Sequence, residues 1–195
     1  LNSLSLEHIS LVRPTTMLSS GERQRLKLLP VLANEYTGRV IILDEPSSNL
    51  QYRDNLKLLT LAQEMKARDN TVIIIDHNPV YQMVADRCLV IGPGPGKRGG
   101  KYCPSEQFLS EKFTVLRQKS MPGSPLIWKE ISLHSLRNIQ LQHISLPVNS
   151  FSAIIGASGA GKSTLCRELI FPALQKSGAD VILLDSSPAR AGGNS

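Results

Sequence analysis

Apolar positions along this chain fall into two periods. Largely apolar runs recur at residues 40–43, 71–75, 88–91, 151–155 and 181–184, each of the length and composition expected of a strand buried on both faces. Between them the apolar spacing lengthens to three and four. Residues 54–68 read as a helix with Leu56, Leu59, Ala62 and Met65 inward, and 80–86, 104–117 and 164–175 as further helices. Another helix begins near Glu22, capped by Ser19 or Ser20, with Leu26, Leu29 and Leu32 along one side and Pro30 inside it. Residues 1–17 alternate apolar and polar positions around Leu4, Leu6, Ile9 and Leu11, and period-two stretches over 126–146 suggest antiparallel strands. Glycine and proline break regular structure over 92–100, and 118–125 is polar with Met121-Pro-Gly-Ser-Pro125, a linker composition. Strands alternating with helices predict an α/β sandwich.

The chemistry sits at the ends of the apolar runs. Gly156, Ala157, Ser158, Gly159, Ala160, Gly161, Lys162, Ser163 and Thr164 match the phosphate-loop pattern G-x-x-x-x-G-K-[ST], between a predicted strand and a predicted helix. Its glycines let successive backbone N–H groups converge on phosphate oxygens, and the helix N-terminus adds positive charge. Lys162 would reach the β- and γ-phosphates of ATP, Ser163 would ligate Mg²⁺, and Thr164 would contact the α-phosphate side. Asp44 and Glu45 close another buried run, a poor place for carboxylates in packing and a useful one in catalysis. Asp44 would hold magnesium through water, and Glu45 would act as general base on the attacking water. His77 follows the next strand, where it suits a switch contact to the γ-phosphate. Leu18-Ser-Ser-Gly-Glu22 reads as the signature of an ATP-binding cassette. There the Ser19 hydroxyl and Gly21 N–H would bind the γ-phosphate held by an opposite cassette.

Composition narrows the classes. The chain has 195 residues, a net charge of +6 and a pI near 9.4, compatible with a nucleic-acid partner. No apolar run approaches the ~18 residues that span a bilayer, and no secretory leader is evident, which points to a cytoplasmic protein without a membrane partner. Cys88, Cys103 and Cys166 form no C-x-x-C pair, so zinc is not expected within this stretch and free thiols are. The first residue is Leu1 rather than methionine, as in a fragment.

The motifs stand in an unexpected order: signature, acidic strand, then loop. A single cassette runs loop, signature, acidic strand. The order therefore suggests an α/β P-loop protein holding parts of two tandem nucleotide-binding domains: residues 1–117 from the end of one cassette, a linker at 118–125, and 126–195 from the start of a second. Several segments strengthen this. Leu18-Ser-Ser-Gly-Glu-Arg-Gln-Arg-Leu-Lys-Leu28, Ile42-Leu-Asp-Glu-Pro-Ser-Ser-Asn-Leu-Gln-Tyr-Arg-Asp-Asn55, Asn70 to His77 and the glycine-rich Gly92 to Gly100 together resemble the UvrA family, the DNA-damage sensors of the bacterial excinuclease.

That resemblance implies a DNA-damage-recognition ATPase of nucleotide excision repair. It implies ATP and Mg²⁺ as ligands, a UvrB-like helicase subunit together with DNA as partners, and a homodimeric parent. The family's zinc modules lie in insertions absent from this stretch. It also implies that Lys162 and Ser19 face one ATP while Asp44, Glu45 and His77 serve another. The fragment alone would then hold half of each of two sites and be inactive. Departures from the family pattern are Ser20 and Asn49 at glycine positions, Gln51 for histidine, Asp76 for glutamate, and Ser186 for glutamine, with a shortened stretch between Leu174 and Val181. Two rivals stand beside this reading. One is a transporter or drug-resistance cassette, which generally lacks the 92–100 stretch. The other is a truncated, inactive remnant.

Overall fold

Each of the five apolar runs becomes a strand of one sheet. The computed structural model describes residues 14, 17–48, 50–92, 94, 99–103, 128–132 and 143–184. Its strands are β1 (Val40–Asp44), β2 (Thr71–Asp76), β3 (Arg87–Gly92), β4 (Lys101–Cys103), β5 (Trp128–Ser132), β6 (His143–Pro147), β7 (Phe151–Ile155) and β8 (Val181–Leu184). Six of them form a sheet in the order β4-β3-β7-β2-β1-β8, parallel throughout except for β4, while β5 and β6 make a separate antiparallel pair. The alternation near 1–17, the helix at 104–117, the linker at 118–125, Asn49 and Ser186 lie outside the described residues.

The sheet is buried on both faces, as a parallel sheet requires. On one face Ile41, Leu43, Val72, Ile74, Phe151 and Ala153 pack with residues of α1 (Ser20–Ala33) and α2 (Tyr52–Ala67). On the other Ile42, Ile73, Ile75 and Ile154 pack with Leu165, Cys166, Leu169 and Ile170 of the helical run over 162–176, here α3, and with Ile144 and Leu146 of β6. The alternation along each strand follows the two-residue period of extended chain.

Local sequence explains the helix starts. Ser19 caps α1 by accepting from the Glu22 N–H while Glu22 accepts from the Ser19 N–H, a reciprocal capping box. Pro30 is carried inside α1 on its exposed side. Two expectations need correction. Leu56 is 41% exposed, whereas Leu58 is 1% exposed and faces the core. At 3.6 residues per turn the buried set Leu58, Ala62 and Met65 leaves Leu56 on the opposite side of α2. The helix expected at 80–86 is instead a single 3₁₀ turn, Pro79–Met83, which begins when the Asn78 side chain accepts from the Val80 N–H. The short strand β4 is an addition that the apolar pattern does not announce.

The strand order is what positions the site. β7, which carries the chain into the phosphate loop, lies between β2 and β3, and β8 lies beside β1. Strands from both sides of the 118–125 stretch thus interleave in one sheet. Asp86 secures this arrangement: its N–H donates to the Phe151 carbonyl at 2.8 Å and its carboxylate accepts from the Phe151 N–H at 2.7 Å. Among the described residues no helix is long and apolar enough to cross a membrane.

Candidate functional site

The carboxyl ends of β1, β2 and β7 lie side by side, with Asp44 in register with Ile75 and Asp76 in register with Ile155. In open parallel sheets this edge is where ligands bind. The chain leaves β7 through the phosphate loop and enters α3 at Lys162. The Ser163 hydroxyl donates to Asp44 Oδ1 at 2.9 Å. The other carboxylate oxygen, Oδ2, accepts from Arg167 Nε at 3.0 Å and from Arg167 Nη2 at 2.6 Å. Lys162 is 3% exposed and folds back so that Nζ donates to the Ala157 carbonyl at 3.0 Å. Burial pulls its pKa below the ordinary lysine value, while Glu45, Asp76 and Asp44 act to retain the proton.

Asp76 anchors the middle of the edge. It is fully buried and accepts from the Ser47 N–H at 3.0 Å, the Ser47 hydroxyl at 2.7 Å, the His77 N–H at 2.8 Å and the Asn78 N–H at 3.0 Å. Together these bonds clamp the turn after β1 to the turn after β2. Glu45 is held in the left-handed region at φ 48°, its N–H donating to the Ile75 carbonyl at 2.8 Å and its carbonyl accepting from Gln24 Nε2 at 3.2 Å. A glutamate is strained in that conformation, and such strain gathers at functional turns. His77 lies at the rim, its side chain 55% exposed and its Nδ1 3.5 Å from Asp76 Oδ1.

Two glycines make the loop possible sterically. A Cβ on Gly156 would stand 2.0 Å from the Ile91 carbonyl oxygen, so only glycine lets the loop leave β7 against β3. From the glycine-rich segment, a Cβ on Gly99 would stand 2.8 Å from the Ala160 carbonyl oxygen, and the Gly100 N–H donates to that same oxygen at 2.8 Å. Gly99 and Gly100 thus pack against the loop at Ala160. Ala157, Ser158 and Gly159 stay exposed at its tip.

Of the residues expected at a site, the structure gathers Lys162, Ser163, Asp44 and Glu45, with His77 at the margin. Asp44 and Glu45 stand beside the phosphate loop, because β7 inserts next to β2. Ser19 and Gly21 stand at the start of α1; the Ser19 side chain is engaged in its own cap, and α1 is tied to its surroundings by Gln24 to Glu45 and by Arg25 to Asp54 at 3.0 Å. Sequence reasoning missed Arg167, the buried acceptor role of Asp76 and the packing at Gly99. Arg167 had one visible signal, its spacing of four from Ser163.

The donors suit magnesium. Ser163 and Asp44 offer hard oxygen atoms, and among the described residues no three His, Cys, Asp or Glu side chains form a metal cage. An ion here would complete its shell with phosphate oxygens and water, as Mg²⁺ commonly does. Neither Cys88 nor Cys166 is in a disulfide, and burial pushes the Cys88 thiol up to about 12.

No protein-family model matches the chain. UvrABC system protein A of Oceanobacillus iheyensis is 31% identical over 91% of this chain and 20% of its own length. The protein of the same name from Borreliella burgdorferi is 35% identical over 88% of this chain and 20% of its own length. Among solved structures, UvrA2 from Deinococcus radiodurans matches 90% of this chain and 23% of its own at 26% identity, with a TM-score of 0.48. The chain spans about a fifth of the length of the curated relatives it matches.

Proposed function

The chain belongs to the UvrA family, and from that premise we propose that it is part of a cytoplasmic DNA-damage-recognition ATPase of nucleotide excision repair. In this reading the parent binds DNA, engages a UvrB-like helicase subunit, and works as a homodimer. The net charge of +6 supports a nucleic-acid partner. The observation that carries the nucleotide part is the Ser163–Asp44 hydrogen bond beneath a buried Lys162.

The roles follow from position. The backbone N–H groups of Gly156 to Gly161 and the start of α3 receive phosphates, and Lys162 exchanges the Ala157 carbonyl for a phosphate oxygen. Ser163 and Asp44 would hold Mg²⁺, which supplies charge neutralisation between phosphates. Glu45, fixed by its turn, orients and deprotonates water, and His77 reaches the γ-phosphate from the rim. Ser19 and Gly21 serve a nucleotide held by another core. The 195-residue chain by itself therefore binds nucleotide but turns it over poorly.

The test is equilibrium binding of labelled ATP with magnesium, alongside steady-state turnover. Lys162→Ala should weaken binding by about 1.5–3 kcal/mol, the value of a hydrogen bond to a charged group. Efficient turnover by the chain alone, abolished by Lys162→Ala, would contradict the need for a signature in trans.

A further inference from the structure

A residue with a side chain stays in the left-handed region only where its surroundings hold it there. Glu45, at φ 48°, is held through its main chain from more than one side. Its N–H donates to the Ile75 carbonyl of β2 at 2.8 Å, and its carbonyl accepts from the Ser48 N–H at 3.1 Å. A further hold comes from outside the sheet: Gln24 Nε2, on α1, donates to the same carbonyl at 3.2 Å. Gln24 is only 9% exposed, and an amide so deeply placed must find hydrogen-bond partners. These groups all lie within residues 24–75, so the link does not depend on how the two stretches of chain interleave. Gln24 stands little more than one helical turn beyond the Ser19 cap. The helix whose first residues carry the signature thus also reaches the turn after β1.

We propose that Gln24 is a positioning residue for Glu45: from the signature helix it holds the left-handed turn that aims the Glu45 carboxylate at the attacking water. The inference rests on the reading of Glu45 as general base. A rival role, in which Gln24 merely anchors α1 to the sheet, predicts a different pattern. Loss of the amide would then loosen α1 and leave the Glu45 turn as it is.

The experiment measures amide hydrogen exchange by NMR in the 195-residue chain, unaltered and as Gln24→Met and Arg25→Met. Methionine keeps the length of glutamine without its N–H donors. In Gln24→Met the Glu45 and Ser48 amides should exchange roughly threefold to tenfold faster, as loss of one hydrogen bond implies, while Ile74 in β2 does not change. The Glu45 carbon-13 shifts should move away from left-handed values. Arg25→Met removes another tie of α1, the ion pair to Asp54, and should leave Glu45 and Ser48 unaltered. Unchanged exchange and shifts at Glu45 in Gln24→Met overturn the proposal. An equal effect of Arg25→Met also overturns it, by tracing the change to α1 as a whole. A second measurement needs no variant. A Gln24 side-chain N–H should exchange slowly in the unaltered chain, and fast exchange of both its protons overturns the proposal. The base reading has its own test: Glu45→Gln should lower the residual ATP turnover of the chain about tenfold or more. Turnover that persists in Glu45→Gln defeats that reading, and with it the catalytic meaning of the Gln24 contact, whatever the exchange shows.

Discussion

Asp76 accepts four hydrogen bonds without any exposure to water. Replacing it with alanine orphans the Ser47, His77 and Asn78 donors at once. Asp76→Ala should therefore cost roughly 3 kcal/mol or more in urea unfolding, and Asp76→Asn less, since an amide oxygen still accepts. Cys88 carries a pH prediction. Its thiol is raised from the ordinary 9.0 to about 12 by burial. The unfolded chain gives up that proton near 9 and the folded chain keeps it to about 12. The contribution is thus full below pH 9 and falls as pH rises through that window, by roughly 1 kcal/mol per pH unit. Cys88→Ala should flatten the alkaline arm of the stability–pH curve measured by urea denaturation. An equally steep arm in the variant would remove Cys88 as its source.

Elements were legible where a local device specifies them. A cap at Ser19 or Ser20 is readable, and the structure makes it Ser19, with Glu22 closing a capping box; the apolar runs announce the strands because strands of a doubly covered sheet are apolar on both sides. The inward face of α2 was misjudged for a physical reason. Leu56, Leu58, Leu59 and Leu61 stand on more than one side of the helix, so apolar spacing alone fits more than one inward face. The packing decides: Leu58→Ala should cost about 2–5 kcal/mol in chemical denaturation, and Leu56→Ala within about 1 kcal/mol. Equal effects would contradict the observed orientation. β4 escaped notice because three residues carry too little period to read, and its pairing with β3 is tertiary.

For the whole molecule, residue type and strand-end position mark the candidate residues one by one, but not how they group. Gly156 to Thr164, Asp44, Glu45 and His77 each announce phosphate chemistry through residue type and strand-end position. Which of them share a ligand depends on strand order, and local pattern does not encode that β7 lies between β2 and β3. The order of motifs in sequence argues for two half-sites, and in the sheet the loop of one stretch stands beside the acid of the other. The interleaving also makes the segments mutually dependent, since β7 is covered on both edges by strands from earlier in the chain. The measurement that tests this most directly is magnesium-dependent ATP binding by Asp44→Asn beside the unaltered chain. If loop and acidic strand form one site, Asp44→Asn loses most of the magnesium enhancement, about tenfold or more, while binding in EDTA persists. If Asp44→Asn keeps the full enhancement while Lys162→Ala loses binding, the loop works without the β1 acid and the two stretches serve separate sites.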